Sequence, residues 1–123
     1  MYISVVEDNP KVLEMVEMAL MLQGHTVEAH GDSPSFFSAL QKTERSPAYD
    51  LVIVDLYLGE ESGTDVVDAL SGTKVRAIPT ILMSAATEST FIPIKKRYPN
   101  LPILHKPFNV RSLVSLVDQT AGR

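Results

Sequence analysis

The sequence predicts an α/β fold: a doubly wound, five-stranded parallel sheet in an α/β/α sandwich, with a short or irregular fourth helix. Two observations predict it. Short apolar runs alternate five times with amphipathic stretches along the 123 residues, the pattern of strands covered by helices on both faces. Side chains able to carry chemistry stand directly after the apolar runs, where open parallel sheets gather their ligands. Right-handed crossovers between parallel strands complete the doubly wound arrangement.

The elements follow in order. Residues 2–6 are a short β-rich run. Residues 11–23 have helical periodicity, with Asp8 or Asn9 as cap and Pro10 at the first helical position, and stop at Gly24. Residues 26–29, between His25 and His30, are a weak strand. Residues 34–43 read as a helix capped by Ser33. Residues 51–54 are a continuous β-branched run entering Asp55, and residues 64–70 a helix between Gly63 and Gly72. Residues 80–83 enter Ser84. Residues 90–98 are short and basic, with Pro93 expected in the first turn and Pro99 as the stop. Residues 101–104 enter His105-Lys106-Pro107, and residues 110–119 form a last helix capped by Asn109.

Composition narrows the function classes. The absence of cysteine excludes disulfides, thiolate metal sites and thiol nucleophiles. The apolar runs fall far short of the roughly 20 residues of a membrane helix. The N-terminus lacks the basic flank of a targeting peptide, so a cytoplasmic location without membrane attachment is expected. Fifteen acidic against eleven basic residues argue against direct DNA binding. One domain, residues 1–123, is expected, with no room for an output domain.

The strand ends carry Glu7 and Asp8 after the first run, Asp55 after the third, Ser84 after the fourth and Lys106 after the fifth. Three carboxylates on one rim repel each other unless a cation intervenes. An oxygen-only donor set suits Mg²⁺. A lysine supplies a point charge for a phosphoryl group, and a serine hydroxyl can donate to it. Together they describe metal-assisted phosphoryl transfer to or from a carboxylate. Singly, each has a plainer reading: a helix cap at residues 7–10, a turn aspartate at 55, an exposed lysine before a turn at 106.

The segments Val5-Val6-Glu7-Asp8-Asn9, residues 50–56 ending in Val54-Asp55-Leu56, Gly63, Pro79 through Ser84-Ala85, and Lys106-Pro107-Phe108 resemble, in order and spacing, the receiver domain of two-component response regulators. The resemblance spans essentially the whole chain. It implies the flavodoxin-like fold with strand order 2-1-3-4-5, and Asp55 as acceptor of a phosphoryl group from a sensor histidine kinase or histidine phosphotransfer protein. Glu7, Asp8, Asp55 and the main-chain carbonyl of Tyr57 would hold Mg²⁺. Lys106 would pair with the phosphoryl group, Ser84 would hydrogen-bond it, and the Lys106–Pro107 bond would be cis. The chain would catalyse only its own phosphorylation and dephosphorylation, and would signal to an output protein as a monomer or weak dimer.

Several positions depart from the commonest receiver pattern. Ile103 stands where an aromatic switch residue is usual, three positions before the lysine. Gly59 replaces a usual proline and leaves the metal-ligating loop freer. Tyr57 and Ala86 occupy positions that tune phosphoryl lifetime, and this pair points to slow autodephosphorylation. Lys95-Lys96-Arg97 reads either as a solvated last helical turn or as a recognition element for an acidic partner. On the first helix, Met15, Met18 and Leu22 form a second apolar stripe, open to packing against the fifth helix or to docking a kinase or phosphotransfer bundle.

Other classes fit less well. A haloacid-dehalogenase-type phosphatase needs a second aspartate where Tyr57 stands, and a flavin carrier needs a phosphate-binding loop where the acidic Glu7-Asp8 stands. A pseudo-receiver would have lost part of its acidic site. A receiver module from a longer hybrid kinase or regulator remains the alternative, with residues 120–123 as the start of a linker.

Overall fold

The computed structural model describes residues 1–71 and 78–122; Gly72, expected to flank the third helix, lies outside them. The elements are β1 (Tyr2–Val6), α1 (Pro10–Leu22), β2 (Thr26–His30), α2 (Ser33–Lys42), β3 (Leu51–Asp55), β4 (Tyr57–Leu58), β5 (Glu61–Ser62), α3 (Gly63–Ser71), β6 (Thr80–Ser84), α4 (Glu88–Arg97), β7 (Ile103–His105) and α5 (Val110–Thr120). Five strands form one parallel sheet in the order β2-β1-β3-β6-β7, the expected 2-1-3-4-5 arrangement. No helix among the described residues is long and apolar enough to cross a membrane.

Every residue of β3 and β6 is buried, which is why their sequences read as continuous apolar runs rather than alternating ones. Alternation sorts their side chains onto two faces. Ile3, Val5, Ile53, Ile81, Met83 and Leu104 join Val16, Leu20, Leu113 and Val117 in one core cluster, between the sheet and the α1/α5 pair. Val6, Val52, Val54 and Leu82 join Phe36, Val66, Val67 and Leu70 in the other, under α2 and α3.

Helix ends follow side-chain chemistry. The Asn9 side chain accepts from the N–H groups of Lys11 and Val12, and the Asn109 side chain accepts from that of Ser112 at 2.8 Å. The expected cap of α2 is corrected: Asp32, not Ser33, accepts from the Ser35 N–H at 2.8 Å. A carboxylate there also suits the positive helix end. Ser33 is instead the first helical residue, and its hydroxyl donates to Glu61.

Two further differences concern elements. The short hairpin of β4 and β5 is absent from the sequence reading, because two-residue strands carry no periodicity. Gly59 turns it with φ +67, a value proline cannot adopt. The fourth helix starts at Glu88, so Pro93 falls beyond the first turn, contrary to expectation. The buried Phe91 and half-buried Ile94 anchor the helix across that interruption.

At the sheet edge, Glu28 accepts from the Tyr2 hydroxyl at 2.6 Å, the Tyr49 hydroxyl at 2.7 Å and His30 Nε2 at 2.6 Å. The Tyr2 and Tyr49 rings stack at 5.5 Å, and the Arg45 guanidinium covers the Tyr2 ring at 4.1 Å. Burial pushes the Glu28 carboxyl up, but the three donors outweigh it and hold it below the ordinary carboxylate range.

Two outcomes follow from this packing. A carboxyl depressed in the folded state stabilises it above the unfolded carboxyl pKa near ~4.3, and loses that effect as pH falls through the lower folded value. Urea titrations at stepped pH should therefore show wild type losing stability below about pH 4 more steeply than Glu28→Gln; equal slopes would remove the role given to Glu28. The Gly63 N–H donates to the Leu56 carbonyl at 2.7 Å, and a Cβ on Gly63 would overlap the Asp55 carbonyl. Gly63→Ala should cost about 1–3 kcal/mol in the same assay.

Candidate functional site

Four strand ends build one rim. β1 runs out into Glu7 and Asp8, β3 ends on Asp55, β6 ends on Ser84, and Lys106 follows β7. Val6 pairs in register with Val54, so Glu7 comes beside Asp55. Ser84 pairs with His105, so Lys106 comes beside Ser84. Backbone bonds carry the ladder one step past the strands: Glu7 N–H to the His30 carbonyl at 3.0 Å, Leu56 to Met83 at 2.9 Å, and Lys106 to Ser84 at 2.9 Å. The rim residues are therefore held by the sheet, not by free loops.

The Lys106 ammonium lies between two carboxylates. It donates to Asp55 Oδ2 at 2.7 Å and to Glu7 Oε2 and Oε1 at 3.0 and 3.2 Å. Glu7 and Asp55 are only 1% and 5% exposed. The remaining contacts come from the backbone. The Asn9 N–H donates to Glu7 Oε1, and the Tyr57 N–H to Asp55 Oδ1, both at 3.2 Å. The buried Ser84 hydroxyl accepts from the Ala86 N–H at 2.9 Å.

Charge is not balanced here. Burial and, after it, the neighbouring Asp55 carboxylate push the Glu7 carboxyl up to about 7, with Lys106 offsetting only part of their effect. Burial pulls the Lys106 ammonium down, but the two carboxylates outweigh it and hold it above the ordinary lysine value. Asp8, exposed to solvent, adds a third carboxylate. One oxygen from each of Glu7, Asp8 and Asp55 lies within 4.8 Å of the others. Oxygen donors around an excess of negative charge, with one ligand facing water, fit a hard divalent cation that keeps part of its hydration shell.

The other sequence-derived positions fall in four places. Tyr57 lies in β4 next to the rim, its ring exposed. Ile103 is half-buried against the α2/α3 core cluster, as is Ala86. Pro107 is exposed, and the Lys106–Pro107 bond is cis, as implied. Met15, Met18 and Leu22 lie away from the rim, 36%, 57% and 80% exposed. They line a groove of about 380 Å³ with Lys11, Glu14 and Val110; this stripe is open to solvent rather than packed under α5. Met21, outside the stripe read from the helical wheel, is also exposed.

Sequence reasoning missed the backbone donors. The N–H groups of Asn9, Tyr57 and Ala86 touch the site through atoms that every residue carries, so residue type cannot announce them. It also placed no weight on Phe91, whose ring meets the His105 imidazole edge-on at 4.9 Å.

The comparisons agree with this geometry. The family model described as response regulator receiver domain matches residues 3–118. The probable transcriptional regulatory protein TcrX of Mycobacterium tuberculosis is 33% identical over 81 residues, covering 66% of this chain and 32% of that protein. The DNA-binding response regulator MtrA of Mycolicibacterium smegmatis is 29% identical over 115 residues, covering 94% and 48%. This chain thus spans half or less of the length of these relatives. In fold, the chemotaxis response regulator CheY4 of Vibrio cholerae superposes with a TM-score of 0.83 at 22% identity, covering 97% of each chain. A rim of acids and one lysine at the ends of a 2-1-3-4-5 parallel sheet, matched by that family model over nearly its whole length, makes this chain a member of the response regulator receiver domain family of two-component systems.

Proposed function

We propose that Asp55 accepts a phosphoryl group from a sensor histidine kinase or a histidine phosphotransfer protein. The supporting observation is the Lys106 ammonium poised between the buried carboxylates of Asp55 and Glu7. A carboxylate oxygen of Asp55 attacks phosphorus as the bond from phosphorus to the donor imidazole nitrogen breaks. The electron pair of that bond stays on the nitrogen, and the imidazole leaves. Glu7, Asp8, Asp55 and the Tyr57 carbonyl would hold Mg²⁺, which supplies charge neutralisation for the transferring oxygens. Lys106 turns its charge from Glu7 toward the new phosphoryl oxygens. Ser84 exchanges its bond to the Ala86 N–H for one to the phosphoryl group, which moves the loop leading into α4.

Output in this reading passes through altered protein contacts, with no DNA contact by this chain and a cytoplasmic setting. The shares of TcrX and MtrA covered here equally support a module within a longer regulator. The open stripe of Met15 and Met18 is the docking face for the phosphodonor, flexible apolar side chains being suited to re-packing against a helical bundle.

Two outcomes test this. Incubated with Mg²⁺ and acetyl phosphate, wild type should gain one phosphoryl group by intact mass, and should lose this with chelator or in Asp55→Asn. Label persisting in Asp55→Asn would overturn the acceptor assignment. Met15→Asp should cut phosphotransfer from the kinase by about tenfold or more, the cost of about 1.4 kcal/mol at an interface, while labelling by acetyl phosphate stays unchanged. Equal loss of both would remove the docking face.

A further inference from the structure

α4 differs from its neighbours in how it is held. Its C-terminal end is tied to α3: Arg97 Nη2 donates to Asp68 Oδ2 at 2.9 Å, and the Tyr98 hydroxyl donates to the same carboxylate. Burial and that carboxylate push the Tyr98 phenol up to about 12, so it stays a donor throughout the neutral range. Its N-terminal end has no such side-chain tie among the described residues. The Thr87 side chain makes no capping bond to the helix and hydrogen-bonds the Ser89 hydroxyl instead. Between the two ends, Pro93 removes one N–H from the helical ladder.

The first half contains one buried side chain. Phe91 is the buried residue of α4, 3% exposed, yet it belongs to neither core cluster among the described residues. Its ring packs edge-to-face on the imidazole of His105, centroids 4.9 Å apart and planes at 79°, a favourable arrangement of ring quadrupoles. His105 is itself exposed on β7, while the Phe91 ring is buried.

Both partners lead straight back to the rim. His105 precedes Lys106 and is the register partner of Ser84. Phe91 is carried by the turn that begins at Ala86, whose N–H the Ser84 hydroxyl now holds at 2.9 Å; the Phe91 and Thr90 N–H groups both donate to the Thr87 carbonyl. The Ser84 hydroxyl and the Phe91–His105 contact thus restrain the same short segment from opposite ends.

We propose that Phe91 and His105 form a latch, and that residues 88–92 swing about Pro93 when the Ser84 hydroxyl releases Ala86, while residues 94–98 stay pinned to Asp68. This rests on the reading of Asp55 as acceptor, because the release is driven from there. The latch is a packing device: His105 acts as a ring, not as a base. It gives this chain a moving aromatic contact although Ile103 supplies none.

Hydrogen exchange by mass spectrometry tests it, on wild type, His105→Ala and His105→Phe, each with and without Mg²⁺ and beryllofluoride. Binding of beryllofluoride is followed separately by fluorine NMR. Without beryllofluoride, His105→Ala should exchange about tenfold faster than wild type over residues 88–92 and equally over 94–98, as expected for loss of one local restraint. His105→Phe, which restores a ring, should match wild type. With beryllofluoride, wild type and His105→Phe should loosen over residues 88–92, while His105→Ala, already open, should change no further. Exchange in His105→Ala equal to wild type, or loosening spread evenly over 88–98, would overturn the latch. A wild type that shows no bound fluorine signal would overturn the acceptor reading, and the unliganded comparison would still judge the latch by itself.

Discussion

Two carboxylates buried at the end of a parallel sheet, sharing one ammonium, set the terms for the rest of this molecule. Glu7 and Asp55 are taken out of water by the same strand pairing that builds the core, and desolvation of an anion is expensive unless a cation meets it. Lys106 meets both, and an additional acid, Asp8, stands in solvent beside them. The rim is therefore under-neutralised by design of the backbone, and its affinity for a divalent cation is the electrostatic complement of that deficit.

The scaffold is arranged to keep those groups still. The sheet's hydrogen bonds extend one residue past β1, β3 and β7, so the reactive side chains start from fixed Cα positions. Gly63 lets α3 press its first residue against the Asp55 carbonyl, and the β4–β5 hairpin closes over the intervening residues. Away from the rim the grip is looser. α4 has one buried residue and an internal proline, whereas α1 buries Val16, Ala19 and Leu20. Rigidity at the acceptor and freedom at α4 are what a switch needs if a local charge change is to be read at a distance.

Much of this was legible before any coordinates. The continuous apolar runs at β3 and β6 reported burial on both faces, and Glu7, Asp8, Asp55, Ser84 and Lys106 stood out because each followed such a run. The geometry brings these five together. In the fold, what escaped was of three kinds. The hairpin of β4 and β5 is too short to leave a periodic trace. The α2 cap moved by one residue because Asp32 and Ser33 are both good caps, and only backbone geometry chooses between them. Pro93 misled because a proline's usual place at a helix start is a preference, and burial of Phe91 set the helix frame instead.

The ion pairs at the rim also join the two ends of the chain. Glu7 and Lys106 are 99 positions apart, and Asp55 and Lys106 are 51 apart. Until β7 docks on β6, the acidic strand ends lack the Lys106 ammonium, however well the first three strands are paired. A partly folded or truncated chain would keep its nucleophile and its acids but lack the charge that makes phosphorylation tolerable. Competence to receive a signal is thereby tied to closure of the last strand, so that the chemistry of the rim reports on the integrity of the entire sheet.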